Sequence, residues 1–283
     1  MPINFCKFHG FGNDYIVIEN PQLKDVSSIS ELAQRICHRH YGAGSDGIAV
    51  LEKIDGKIAD YRCRIINPDG SEAAFSGNGT RCAVAYLYHK KIWSGKNLRL
   101  QTASGTKNYT LLQENGKSYQ FLAELGKPKF ASDEIPFTAA EKLDQIFNYG
   151  LQLKTDVLPV TVVNPGNPVA AVFVENFDAL DWRRISAEIE SHSQFPERTN
   201  VVFIKKTDAE NIEIRIWERG AAETSSSGTC SIAAAVAHLL RENKRGKVHV
   251  HAVGGTTEAV WRKDDEMLIT GTADFVYCGE WNE

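Results

Sequence analysis

Apolar residues along this chain fall mostly at short, strand-like intervals. Phe5 to His9 and Tyr15 to Glu19 are rich in aromatic and β-branched residues and predict two strands. The glycine-punctuated run His9-Gly10-Phe11-Gly12-Asn13-Asp14 turns the chain between them. After Ser30 the period changes: Leu32, Ala33, Ile36 and Cys37 recur at helical spacing, and the run Tyr41-Gly42-Ala43-Gly44-Ser45-Asp46-Gly47 ends that helix. Ile48 to Leu51 and Ala59 to Ile66 predict strands, followed by a turn at Asn67-Pro68-Asp69-Gly70. Ala83 to Tyr88 forms the apolar part of a second helix, and Leu98 to Thr102 and Tyr109 to Leu112 return to strands. A second mixed region follows Gly116. It has strands at Val160 to Val163 and Ala170 to Val174, a helix from Asp181 to His192, and strands at Asn200 to Ile204 and Ile212 to Trp217. A long apolar helix then runs from about Thr229 to Leu240, ahead of strands at Val248 to His251, Glu258 to Trp261 and Met267 to Ile269. Strands far outnumber helices, which predicts an α+β protein rather than regular βαβ repetition.

The pattern contains an internal echo. Glu72-Ala73-Ala74-Phe75-Ser76-Gly77 precedes one apolar helix, and Glu223-Thr224-Ser225-Ser226-Ser227-Gly228 precedes the other. Each has Glu, three residues, then Ser-Gly and a helix rich in Ala and Val, which suggests two related halves. Taken alone, Ser-Gly at either place reads first as ordinary helix capping. Taken together, two helix starts offer unpaired N–H groups and two positive dipole ends, a combination suited to a carboxylate or phosphate.

Composition narrows the class. The chain has 283 residues, enough for two domains, and 42% of them are hydrophobic. The formal charge is -4, so no global field favours nucleic acid or an anionic membrane surface. No apolar run is long enough for a spanning helix, and the start Met1-Pro2-Ile3-Asn4-Phe5 lacks the features of a secretion signal. The six cysteines are scattered without a CxxC pair, and the expectation is a cytoplasmic protein with reduced thiols.

Other chemistries find little support. Gly10-Phe11-Gly12 and Gly42-Ala43-Gly44 lack the rest of a dinucleotide fingerprint, and no Walker sequence is present. Asp46 and Asp69 sit beside glycines in turn-like sequence. His38 with His40, and His249 with His251, do not make a zinc signature, and no metal is expected. Ser76 and Ser227 lack the flanking glycines of a nucleophile elbow. Small polar groups are more telling: Asn13, Asn67, Asn78, Asn167 and Asn200, with Glu218-Arg219 adding an acceptor for an ammonium and a planar fork for a carboxylate. This set suits a zwitterionic small molecule, although each Asn taken alone reads first as a turn residue.

Read in order, these segments resemble the diaminopimelate epimerase family. The matching pieces are His9 to Tyr15, Gly42 to Gly47, Asn67 to Glu72, Gly77-Asn78-Gly79-Thr80-Arg81-Cys82 and Gly166-Asn167-Pro168. They continue through Pro196 to Val201, Glu218 to Thr224, Gly254-Gly255 and Thr270-Gly271-Thr272-Ala273, so the resemblance covers nearly the whole chain. It implies two similar domains, each a mixed sheet wrapped around a central helix, with the active cleft between them. On that basis the first domain takes residues 1–117 plus 270–283, and the second takes 118–269. It further implies an isomerase without pyridoxal phosphate, other cofactor or metal, in the lysine and cell-wall pathway, often a homodimer. Two thiols would exchange the α-proton of a diaminopimelate-like amino acid from opposite faces. Asn67, Asn167, Asn200, Glu218 and Arg219 would hold its distal groups, with Asn13 in the same pocket. Gly77, Asn78, Gly228 and Thr229 would offer donors to the carboxylate at the reacting end.

The departure from the family falls on the chemistry. Both acid/base cysteine positions are serines, Ser76 and Ser227. A thiol starts near pKa ~8.5 and can be tuned to a thiolate, whereas a serine hydroxyl starts far higher. Val169 stands where the family has His, Ala222 where it has Gly before Glu-Thr, and Cys230 where it usually has Gly. Cys230 lies one turn beyond Ser227, as a buried structural residue or as a shifted thiol base. Three accounts follow: an impaired or altered epimerase; a dehydratase, lyase or double-bond isomerase of a related amino or hydroxy acid; or a small-molecule binding protein without turnover.

Overall fold

Two stretches of the chain fold through the same order of elements in the computed structural model, which describes residues 2–282. The first runs β1 (Ile3–Gly10), β2 (Asn13–Glu19), α1 (Ile29–Ile36), β3 (Ile48–Lys53), β4 (Tyr61–Ile66), β5 (Glu72–Ala73), α2 (Gly77–His89), β6 (Asn97–Thr102), β7 (Gly105–Asn115) and β8 (Ser118–Gly126). After β9 (Tyr149–Gln152) the second runs β10 (Val157–Val163), β11 (Val169–Phe173), α3 (Trp182–Glu190), β12 (Asn200–Lys206), β13 (Asn211–Glu218) and β14 (Ala222–Thr224). It ends with α4 (Gly228–Arg241), β15 (Gly246–Ala252), β16 (Gly255–Trp261) and β17 (Met267–Trp281). The chain divides into a unit of Met1–Glu124 with Thr270–Glu283 and a unit of Leu125–Ile269. The architecture is α+β in two domains.

Strand pairing repeats with the elements. In the first unit β1–β2 is antiparallel, β2–β3 parallel, β3–β4 antiparallel, β4–β6 parallel and β6–β7 antiparallel. In the second, β10–β11, β11–β12, β12–β13, β13–β15 and β15–β16 follow the same alternation. Each parallel step requires a crossover, and a helix supplies it every time. In the first unit β17 also pairs with β1, and β7 pairs with β8.

The two kinds of helix are legible in their residues. In α2 every residue from Gly77 to Tyr88 is buried, as is every residue of α4 from Gly228 to Leu239. A helix covered all round belongs inside a sheet. α2 packs on β1 to β4, and α4 on β10 to β13, β15 and β16. α1 and α3 are amphipathic instead. Leu32, Ala33 and Ile36 of α1 join Ile16, Ile48 and Val50 in one core. Trp182, Ile185 and Ile189 of α3 join Val201 and Phe203 in another. Each such large side chain stabilises its unit by roughly 1.5–3 kcal/mol on burial.

Several sequence expectations differ from the structure. α1 starts from Ser28, whose side chain accepts from Glu31 N, rather than at Ser30. The structure adds β8 and β9, where the hydrophobic pattern predicts no strand, and β17 runs far beyond the expected Met267 to Ile269. The expectation of reduced thiols throughout is corrected. Cys6 and Cys278, 272 residues apart in sequence, form a disulfide where β1 and β17 set them directly opposite. Cys37, Cys63, Cys82 and Cys230 are free and buried. Among the described residues no helix is long and apolar enough to cross a membrane.

Candidate functional site

The same short device begins α2 and α4. Ser76 and Ser227 both have extended backbone, and each side chain turns back to accept from the N–H three residues on. Gly79 N donates to Ser76 Oγ at 3.1 Å, and Cys230 N to Ser227 Oγ at 3.5 Å. The Ser76 carbonyl accepts from Thr80 N, and the Ser227 carbonyl from Ser231 N, both at 2.9 Å. The chain ahead of each helix is held alike: Ser104 N donates to Ala74 O, and Gly254 N to Ser225 O. The N–H groups of Gly77 and Asn78, and of Gly228 and Thr229, therefore lie in the first turn. Helix geometry offers them no acceptor there, and the positive dipole end adds to them.

Around Ser76 the structure joins several predicted residues. Asn78 Nδ2 donates to Asn13 Oδ1 at 3.1 Å, and Asn13 Nδ2 to Asp46 Oδ2 at 2.8 Å. Arg81, wholly buried, reaches Asn78 Oδ1 and donates to the Thr272 carbonyl at 2.9 Å. Gly271 makes room for it, since a Cβ there would lie 2.7 Å from the guanidinium carbon. Beneath Asn13, Asp14 accepts two bonds from Arg39 and an ion pair from Lys7 at 2.6 Å. Burial pushes the Asp14 carboxyl up, but the bonds from Arg39 and Lys7 win and hold it below its ordinary value. Asn67 is not part of this group; its amide closes its own turn on Ser71 Oγ at 3.0 Å.

In the second unit another polar group forms where β12 begins and β13 ends. The Asn200 side chain accepts from Arg219 N at 2.8 Å, and Arg219 Nη1 donates to Glu197 O at 2.7 Å. Glu218 accepts from Thr224 Oγ1 at 2.9 Å. Asn200 N donates to the Pro168 carbonyl at 3.1 Å, which ties in the loop carrying Asn167. Ser227 Oγ lies 3.3 Å from Thr229 Oγ1. Burial, and then the Glu218 carboxylate, push the Cys230 thiol far up, so it stays a thiol and reads as a packed residue rather than a base. Ala222 has φ +60, a left-handed position that favours glycine.

Two residues escaped sequence reasoning. The first is Tyr15, whose hydroxyl is 2.9 Å from Ser76 Oγ. A Cβ on either Gly47 or Gly79 would lie 2.8 Å from its ring, so these two glycines form the slot that holds it. A glycine in the first turn of an otherwise good helix was the available signal. The second is Glu190, a buried carboxylate at the end of α3. It accepts from Trp217 Nε1 at 2.7 Å and Gly220 N at 2.8 Å, and pairs with Arg198. It thereby pins the turn that carries Glu218 and Arg219. An acidic residue beside Ile189, on a buried helix side, was the only hint. A separate groove of about 770 Å³, lined by Gln152, Lys154, Arg184, Glu188 and His192 among others, contains none of the candidate residues.

This architecture, with a capped central helix in each α+β domain, is a fold shared with solved epimerases, a racemase and an isomerase. It superposes on a hydroxyproline epimerase from Agrobacterium vitis with a TM-score of 0.71, at 16% identity over 99% of this chain and 91% of that one. The family model for diaminopimelate epimerase matches residues 5–131 and 161–276. The diaminopimelate epimerase of Caldanaerobacter subterraneus subsp. tengcongensis is 37% identical over 98% of this chain and 99% of its own length. That of Halothermothrix orenii is 34% identical over 99% and 98%. The chain belongs to the diaminopimelate epimerase family.

Proposed function

We propose that this protein exchanges the α-proton of diaminopimelate or a closely similar zwitterionic amino acid, as an epimerase-type isomerase with Ser76 and Ser227 at the two acid/base positions. One observation carries the reading. Each domain presents the same serine-capped helix start, with a Gly-Asn or Gly-Thr first turn, and polar side chains are grouped beside it. The first-turn N–H groups of Gly77, Asn78, Gly228 and Thr229 bind the carboxylate next to the reacting carbon. There they stabilise the charge that develops as the α-proton leaves. Asn67, Asn167, Asn200, Glu218 and Arg219 hold the distal ammonium and carboxylate, and Asn13 completes the pocket. The proton moves between the substrate carbon and the groups at 76 and 227. A serine hydroxyl is a far weaker base than a tuned thiol, so the exchange is slow.

The same reading assigns the protein to the cytoplasm, to formation of lysine and cell-wall amino acids, and to a homodimer. The test is deuterium incorporation at Cα of LL- or meso-diaminopimelate in D2O. The protein gives slow incorporation, and the double variant Ser76→Cys, Ser227→Cys raises it by roughly a hundredfold or more. Absence of exchange in both proteins, with folding intact, would sink the reading. Calorimetric binding without exchange would then leave a binding protein. Unsaturated or keto products from β-hydroxy amino acids would point to a dehydratase.

A further inference from the structure

We propose that Tyr15 is a positioning residue that sets the proton affinity of the group at position 76, and that position 227 has no equivalent. The inference rests on reading position 76 as one that handles a proton. The Tyr15 ring is buried on β2, and its place is tightly determined. Gly47 and Gly79 both approach its Cδ1–Cε1 edge, and a single added carbon at either would press on the ring. The slot aims the phenol hydroxyl at Ser76 Oγ, 2.9 Å away.

Ser76 Oγ therefore meets two hydrogen-bonding groups of the protein, the Gly79 N–H and the Tyr15 hydroxyl. When Tyr15 donates, the Ser76 hydrogen is turned outward and the serine presents a donor. When Ser76 donates, its remaining lone pair is turned outward and it presents an acceptor. The change needs only the rotation of two O–H bonds. A group at position 76 that loses its proton keeps both donors, and hydrogen bonds to a charged form favour that form.

The second domain lacks the device. The parallel pairing that sets Ile16 beside Ile48 extends to Tyr15 beside Gly47, and in the second domain Val169 pairs with Asn200. Counting from the capping serine, Gly79 corresponds to Cys230. One domain thus has Tyr with two glycines where the other has Val with Asn and Cys. Ser227 receives a longer bond from Cys230 N, at 3.5 Å, and a hydroxyl contact from Thr229.

The test reads the proton directly on a thiol, without substrate or turnover. In a Ser76→Cys background, the pH dependence of alkylation at position 76 is followed by peptide mass spectrometry, with and without Tyr15→Phe. Phenylalanine keeps the ring in its slot. The charged neighbours Asp14, Asp46, Lys107, Asp274 and Arg81 are common to both proteins, as is Tyr109, which donates to Thr80. The native free thiols are buried, and Cys63 and Cys82 on the elements nearest the turn are pushed well up by burial. Removing the phenol hydroxyl raises the midpoint by about one pH unit, a tenfold loss of thiolate at a given lower pH. Gly79→Ala, which displaces the ring, moves it the same way. In a Ser227→Cys background, Tyr15→Phe leaves the midpoint at position 227 unchanged. Equal midpoints at position 76 with and without the hydroxyl, in folded proteins, overturn the proposal. They leave the exchange reading to its own test.

Discussion

The two domains share a backbone plan and differ in what fills it. Both cap a buried helix with serine, and both brace the preceding segment from a later hairpin. In the first domain the space beside the cap holds an aromatic ring that ends in a hydroxyl. In the second, Val169 occupies the corresponding strand position, and Asn200, where the first has Gly47, accepts from Arg219. The buried charges differ too. Asp14 sits in a cluster with Arg39 and Lys7, whereas Glu190 is held by Trp217, Gly220 and Arg198. The duplicated backbone supplies equivalent N–H donors in each domain, because those depend only on where a helix starts. Proton chemistry and ligand grip depend on side-chain volume, and the two domains divide that volume differently.

The strongest way to break this comparison is to remove the anchor of the second domain. Glu190→Ala leaves the Trp217 and Gly220 N–H groups without their carboxylate, which costs about 2–3 kcal/mol. Urea unfolding should show the loss, and calorimetry should show weakened binding of the proposed ligand, diaminopimelate, because the Glu218-Arg219 turn is released. Glu190→Gln, which keeps one acceptor oxygen, should recover part of both. A smaller effect comes from filling the slot of the first domain. Gly79→Ala gains up to about 1 kcal/mol of helix propensity. It also forces a carbon within 2.8 Å of a buried ring, and overpacking of about 1–3 kcal/mol outweighs the gain. A melting temperature equal to or above that of the parent protein would show that the slot is loose.

The smallest effect is on pH dependence. The carboxyl of Asp14 is held below its ordinary value of 3.8, so it binds fewer protons folded than unfolded. Its contribution to stability is complete above the unfolded pKa and fades as the pH falls through the folded one. Urea midpoints measured from pH 5 to pH 3 should fall less steeply in Asp14→Asn than in the parent. Identical slopes would remove Asp14 as the acid-sensitive point of the first domain.

Much of the fold was legible because periodicity reports burial directly. The helix after Ser76 and the helix after Ser227 were located from runs of Ala and Val, and the repeated Glu-to-Ser-Gly spacing pointed to duplication. β8 escaped because its run Ser118–Gly126, although it alternates in burial, follows the β7 hairpin through a charged, glycine-containing turn. The sequence expectation ends β17 at Ile269, yet the strand continues through Gly271, which serves to admit Arg81. Of the candidate residues, Asn13 and Asn78 are joined directly, as are Asn200 and Arg219, whereas Asn67 serves its own turn.

The sequence by itself determined where most of the helices and strands lie, that two similar helix starts recur along the chain, and that a serine precedes each. These are local properties, set by side-chain spacing and capping chemistry within a few residues. Only the tertiary structure decided that Tyr15 meets Ser76 across 61 residues and that Cys6 meets Cys278 across 272. It also decided that Glu190 underlies the Glu218-Arg219 turn. Such meetings depend on strand register and on glycines that yield their space to a distant side chain. A residue's own neighbours in sequence carry no record of which group will fill that space.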